Sequence, residues 1–339
     1  MFFLCWTKER CMRAVKQGNH ETDVDPRYHG YGALMAIGYS KKTLNLLAML
    51  VLGTIMPGSG MAGNYGAGIS NSQWYLAESV FECSLVHEVP GYGRAVFRRR
   101  AGEDLSFFLE SDSRLMRPGR GTLVVEAPAW RPGVAPKPVG AVDVSEGHRQ
   151  VSLEARQAVI IAQSLLNGMR PTVTRASWYD GSPVRVQVSN VNFSGQYQRY
   201  RLCTANLLPV NIDQIGRSRV AFASGSKLLS EADMDLLDDI VAYLMADSTV
   251  ERVFVDGHSD SLGSRIDNRA LSEERANVVA DYLKARGVDP DLITVRAHGD
   301  RYPVSKRPAD NRRTTIRLQR EGERPGLQQA NGYGGVSAG

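Results

Sequence analysis

Residues 257–276 read GHSDSLGSRIDNRALSEERA, and the fold turns on how this stretch is read. The apolar alternation of Val250 to Asp256 leads into it and an amphipathic segment, Glu273 to Arg286, leads out, so it reads as strand, loop, helix. On this reading the loop carries Ser259, Asp260, Asn268 and Ser272. Ser272 then opens the helix, and Arg275 stands in its first turn. An acid, a guanidinium and several small hydrogen-bonding groups would meet where a loop joins a helix N-terminus. Such a place suits a zwitterionic ligand, with Arg275 clamping a carboxylate in its planar fork while Asp260 accepts from an ammonium group. The competing reading is a plain ion pair between Asp260 and Arg275, with Ser272 a routine cap.

Around this stretch the periods alternate. Arg219 to Ala223 reads as a short strand, and Ser230 with Asp233 caps a helix running through Ala246 with Met234, Leu237, Ile240, Val241 and Leu244 on one stripe. The strand from Val250 and the helix from Ser272 to Arg286 follow, ended by Gly287, and Ile293 to His298 and Thr314 to Gln319 are two more strands. The order β-α-β-α-β-β makes a sheet layered against helices, assigned to residues 212–323. Upstream, residues 63–211 are β-rich. Ala95 to Arg100 and Leu105 to Glu110 flank one turn, and Asp180-Gly181 separates Thr172 to Tyr179 from Val184 to Val191. One main helix is predicted here, Ser152 to Asn167, with Ser152 as N-cap, Leu153, Val159, Ile160, Leu165 and Leu166 as apolar positions, and Gly168 as its stop. The class is α+β. Residues 324–339, glycine-rich and poor in apolar groups, read as a flexible tail.

At the other end, Lys41-Lys42, the apolar run Leu44 to Met56 and the small residues up to Ala62 form an export signal, assigned to 35–62 with cleavage after Ala62. The run is short for a membrane span, which needs about 20 apolar residues. Residues 1–34 then read as a mis-called start or an unused leader. Beyond residue 62 the chain carries 34 Lys/Arg against 32 Asp/Glu, and this mild balance, without interleaved aromatic and basic residues, gives no support for nucleic-acid binding. Cys83 and Cys203 are the cysteines left after export. Two cysteines in an oxidising compartment usually pair, the alternative being two buried free thiols. His258 and His298 each lie two positions from an acid, Asp260 and Asp300, but no third ligand has matching spacing, so they read as packing residues and no metal or cofactor is expected. Ser259 beside His258 is no nucleophile pair, because adjacent strand residues face opposite ways. No catalytic residue emerges.

Residues 219–320 resemble an OmpA-like peptidoglycan-binding domain. The likeness rests on Phe222 with Gly225-Ser226, GHSD at 257–260, Gly263, Asn268, LSEERA at 271–276, Gly287-Val288, HGDRYP at 298–303 and Asn311-Arg312-Arg313, in order. By position, it implies that Asp260 and Arg275 bind the diaminopimelate of the stem peptide, with Ser259, Asn268, Leu271, Asn311 and Arg312 around the groove. One departure stands out: Ala223-Ser224 occupy a place where many members have an acid. Upstream, the run from Gln73 to Ser111, APAWRPG at 127–133 and CTANLL at 203–208 resemble the N-terminal domain of the sodium-type flagellar MotY family. That resemblance implies a bridged Cys83–Cys203 pair and a periplasmic, non-enzymatic T-ring type component needed for motility. It would be anchored to peptidoglycan by its C-terminal domain and docked on the basal body and stator by its N-terminal domain. A general wall tether of OmpA or Pal type is the alternative, a MotB-like stator subunit would need an acid within the apolar run, and a wall hydrolase would release soluble muropeptides.

Overall fold

The computed structural model describes residues 63–323, so the expected leader, export signal and tail lie outside the described residues. Ten strands form the first sheet: β1 (Gly63–Gly66), β2 (Trp74–Glu78), β3 (Glu82–Val89), β4 (Gly93–Arg100), β5 (Ser106–Ser111), β6 (Gly119–Glu126), β7 (Lys137–Val144), β8 (Arg149–Leu153), β9 (Arg170–Ala176) and β10 (Pro183–Gln187). Their spatial order is β1-β10-β9-β6-β7-β8-β5-β4-β3-β2. Alternation decides which side chains face inward, as in β3, where Cys83, Leu85, His87 and Val89 are buried. The core closes over Leu85, Phe97, Phe107, Leu109, Val151 and Ile161.

Two helices cover this core, the expected main helix and a second one. The first, α1, spans Ala155–Leu166 with Glu154 as N-cap. Ser152 and Leu153 belong to β8, and the buried stripe is Ala158, Ile161, Ala162 and Leu165, while Val159 and Leu166 are exposed. Small alanines let the helix approach the sheet closely, and the larger aliphatics that mark the period in the sequence partly face water. Gly168, at φ +75°, stops it as expected. The second helix, α2 (Phe193–Ala205), was not expected, because its buried face is Phe193, Tyr200 and Cys203 rather than an aliphatic stripe. Phe193 packs edge-on to Trp74 with ring centroids 4.7 Å apart. A disulfide joins Cys83 of β3 to Cys203 of α2, with Cα atoms 6.1 Å apart.

The second sheet has four strands: β11 (Arg217–Ala221), β12 (Val250–His258), β13 (Ile293–Ala297) and β14 (Arg313–Arg320). Their order is β11-β14-β12-β13, with β12 and β13 parallel and the other pairs antiparallel. Helix α3 (Glu231–Ala246) starts with the expected capping box, in which Asp233 N donates to Ser230 Oγ and Ser230 N to Asp233 Oδ2. With helix α4 (Arg265–Ala285) the β-α-β-α-β-β order is complete.

Helix α4 corrects the opening reading. It begins at Arg265, capped by Ser264, whose Oγ accepts from Asp267 N at 3.1 Å. Asn268, Ser272 and Arg275 are therefore buried helical residues, and Ser272 is no cap. Its hydroxyl donates to Arg269 O at 2.8 Å and accepts from Gly299 N at 3.0 Å. A Cβ on Gly257 would sit 1.9 Å from the Ser272 carbonyl oxygen, so only glycine lets β12 run so close under α4.

The segment between the two sheets is a packed joint. Leu208 N donates to Val80 O at 2.9 Å, Asn211 Nδ2 to Ala101 O at 2.9 Å and Gln214 Nε2 to Gly102 O at 3.0 Å. Arg100 pairs with Asp213, and Phe81, two residues from the disulfide, lays its ring 5.5 Å from Tyr243 of α3. Phe81, Leu208 and Val210 thus extend the second core.

At the ends of β12 and β13, His258 and His298 stack with centroids 5.0 Å apart, and His298 Nε2 lies 2.9 Å from Asp256 Oδ1. Burial, with Arg313 next in weight, pushes His258 down to about 4.

Two predictions follow from this packing. Phe81→Ala should loosen the joint at a cost of about 1–3 kcal/mol, below the range for a fully buried Phe. Limited proteolysis should cut the 206–216 segment faster in the variant, and unchanged cleavage would show that Phe81 does not hold it. For His258, the folded ring stays neutral down to about pH 4 while the unfolded ring takes a proton below 6.5. The unfolded chain therefore binds more protons between those values, and stability should fall on acidification by up to roughly 1.4 kcal/mol per pH unit. Urea unfolding should show that His258→Gln removes this component of the fall; identical pH profiles would contradict it.

Candidate functional site

Where β12 ends, the chain turns through His258 and Ser259 to Asp260. Asp260 Oδ1 accepts from Leu262 N at 3.1 Å, and Oδ2 pairs with Arg312 Nη1 at 3.1 Å. The acid's ion-pair partner is thus Arg312, not Arg275. Arg275 is fully buried and spends its fork on backbone: Nε donates to Ser226 O at 2.8 Å, Nη2 to Ala223 O at 3.1 Å and Nη1 to His258 O at 3.5 Å. Its guanidinium lies 5.2 Å from the centre of the Phe222 ring. Burial lowers its proton affinity while nearby Asp260 raises it, and an arginine keeps its charge under such opposing effects.

These groups line a cleft of about 310 Å³ with Asn268, Leu271 and Leu262. Asn268 is 5% exposed and its Nδ2 has no hydrogen-bond partner. Of the expected residues, the cleft gathers Asp260, Asn268, Leu271, Arg275 and Arg312. It does not gather the other three. Ser259 is buried with an unpartnered hydroxyl, and Ser272 sits inside the α4 packing described above. Asn311 fixes the loop before Arg312, its Oδ1 accepting from Val304 N at 2.8 Å and its Nδ2 donating to Ser305 O at 2.8 Å. Ser224, Gly225, Gly263 and Asp267 also line the cleft and were not singled out as contacts. The Ser264–Asp267 capping spacing in the sequence is the signal that could have placed Asp267 there. At the departure noted in the sequence, the Ala223 carbonyl rather than an acid side chain receives Arg275.

A second cleft, of about 440 Å³, lies beside Arg265 and Arg269 of α4 and the 298–301 turn, and most of its walls are exposed side chains. Among the described residues no group of three or more His, Cys, Asp or Glu could hold a metal ion. No helix among them is long and apolar enough to cross a membrane.

Comparison with known proteins gives two domain matches, the MotY N-terminal domain over residues 65–209 and the OmpA family over 221–317. A sodium-type flagellar protein MotY of Vibrio parahaemolyticus is 28% identical over 273 residues, 77% of this chain and 92% of that protein. A peptidoglycan-binding protein ArfA of Mycobacterium bovis is 34% identical over 110 residues, 31% of this chain and 33% of its own length. The solved cell wall anchor of the type VI secretion system of Pseudomonas aeruginosa is 32% identical, covering 31% of this chain and 82% of that one at a TM-score of 0.27. The chain thus carries a MotY N-terminal domain followed by an OmpA-family domain, and its similarity to a flagellar MotY protein runs through both.

Proposed function

We propose that this protein acts as a MotY-type bracket of the flagellar motor, holding stator units in place by gripping peptidoglycan at one end and motor components at the other. The protein is periplasmic and associated with the cell wall, and its OmpA domain is the wall-binding part. The observation that carries the motor role is that likeness to the Vibrio MotY protein covers 92% of that protein, both domains included. A wall tether without a motor role would need only the second domain. The grip is assigned to the cleft of Asp260, Asn268, Leu271, Arg275 and Arg312, whose charges and unspent donors suit the zwitterionic end of diaminopimelate. The domain ranges 63–211 and 212–323 are part of this proposal. Such a bracket works by static contact under load, so no reaction is assigned to it.

Arg275 also closes the fold around the cleft, so truncating it to alanine would strip three backbone carbonyls of their donor and destabilise the domain. Gentler changes isolate binding. Arg275→Lys keeps the charge and loses the fork, and Asp260→Asn keeps the shape and loses the charge. Each should retain cooperative unfolding and weaken sedimentation with diaminopimelate-type sacculi by roughly tenfold or more. A folded double variant that sediments like the natural protein would remove this cleft as the wall site.

A further inference from the structure

Helices α3 and α4 cover one side of the second sheet, and Val220, Val253, Val255, Ile316 and Leu318 turn toward them, sharing a core with Leu237 and Leu283. By alternation, the residues between these turn the other way. There β11 presents Arg217 and Arg219, β12 Arg252, β13 Arg296 and β14 Arg317, and all but the half-buried Arg317 are exposed. Arg217 stands directly opposite Arg317 in the antiparallel register of β11 and β14, a pairing that like charges disfavour. Burial lowers the proton affinity of Arg317, and Arg296 and Arg217 lower it further. Acids do not balance the set. Asp256 is held by Arg296 Nε at 2.6 Å and by His298, Glu323 takes the Arg320 N–H, and Glu251 sits in the bulge of β12. Among the described residues, Arg217, Arg219, Arg252 and Arg317 have no ion-pair partner, whereas Arg94 and Arg149 on the first sheet share Glu110. Charges of one sign thus crowd a single face, and such breaks of local pairing rules concentrate where a protein works.

We propose that this open face docks a protein partner that presents a row of Asp and Glu side chains. The row lies across β11, β14 and β12, strands about 4.8 Å apart, and the planar forks of the arginines match its carboxylates two oxygens at a time. Phe254 prepares the surface. Buried in β12, it carries the guanidiniums of Arg296 and Arg317 at 4.6 and 4.1 Å from its ring centre, so two of the five are held in place before a partner arrives. A membrane surface fits less well, because no large apolar side chain on these four strands is exposed and a surface that lies in a bilayer interface needs such anchors. A single small anion fits less well too, because the guanidiniums spread over several strands and do not converge on one point. The inference goes beyond the proposed bracket, in which the second domain only holds the wall, and it does not rest on the cleft.

The test compares the full-length protein with an Arg217→Gln/Arg252→Gln variant. Both residues are exposed and have no ion-pair partner among the described residues, so the variant should melt at or above the natural temperature. Immobilised poly-L-glutamate should hold the natural protein roughly tenfold more tightly than the variant at low salt, and the gap should close as salt is added. An Arg94→Gln/Arg199→Gln control, which removes the same charge from the first domain, should stay within about twofold of the natural protein. Sedimentation of the Arg217→Gln/Arg252→Gln variant with sacculi should be unchanged. Equal retention of variant and natural protein on poly-L-glutamate, or an equal loss in the control, would overturn the inference. So would phosphatidylglycerol vesicles that bind the natural protein as tightly and with the same dependence on Arg217 and Arg252, which would make the occupant a membrane. A dimer in sedimentation equilibrium that the variant dissolves would make it a second copy, and weaker sedimentation of the variant with sacculi would make it the wall; either result contradicts the proposal. None of these outcomes bears on the assignment of the cleft, which is tested by its own variants.

Discussion

One buried guanidinium holds the end of the second sheet together. Arg275 donates to carbonyl oxygens of Ala223 and Ser226 on one side and of His258 on the other, so the loop after β11, the end of β12 and the middle of α4 are tied at a single side chain. A buried charge is costly unless it is hydrogen-bonded, and here backbone carbonyls supply the partners while Phe222 supplies a ring face. The same arrangement leaves part of the fork unspent at the floor of the cleft. Structure and the proposed recognition therefore draw on one residue, and the cleft cannot be remodelled without disturbing the fold around it. The approach of β12 to α4 at Gly257 and Ser272 belongs to the same constraint, since a side chain there would push the helix, and Arg275 with it, off the sheet.

The first domain is organised by a different link. The Cys83–Cys203 bridge joins an early strand to the last helix of that domain, and Phe81 and Leu208, a few residues from either end of it, reach into the second core. Holding the bridge thus also holds the two faces of the joint. For a protein proposed to bear load between a wall and a rotating machine, this coupling matters as much as either binding surface, because a slack joint would absorb displacement before the tether tightened.

Much of this was readable from residue order, and the failures have a common cause. The strand from Val250, the Ser230–Asp233 capping box and the Gly287 stop are local signals, and the structure has them where the sequence does, while the strand expected at Arg219 to Ala223 lies two residues earlier, at Arg217–Ala221. The true start of α4 was hidden because its first turns bury Asn268, Ser272 and Arg275 while exposing Ile266, so hydrophobic periodicity reports the wrong face. Helix α2 was hidden by an aromatic face interrupted by Gly195 and flanked by Arg and Gln. The pairing of Asp260 with Arg312 joins residues 52 positions apart and is a tertiary fact that no local pattern encodes. Residue type and resemblance together named eight binding positions, and the cleft collects five of them. Ser259, Ser272 and Asn311 are buried polar groups outside its lining.

Whether one chain joins the cell wall to the flagellar motor is decided by fractionating flagellated cells. After enzymatic digestion of the wall, the full-length protein should remain with purified basal bodies. After removal of the basal bodies from undigested cells, it should remain with the sacculi. Recovery with sacculi alone, at the same level in cells that build no basal body, would contradict the claim and leave a wall-binding protein without a motor.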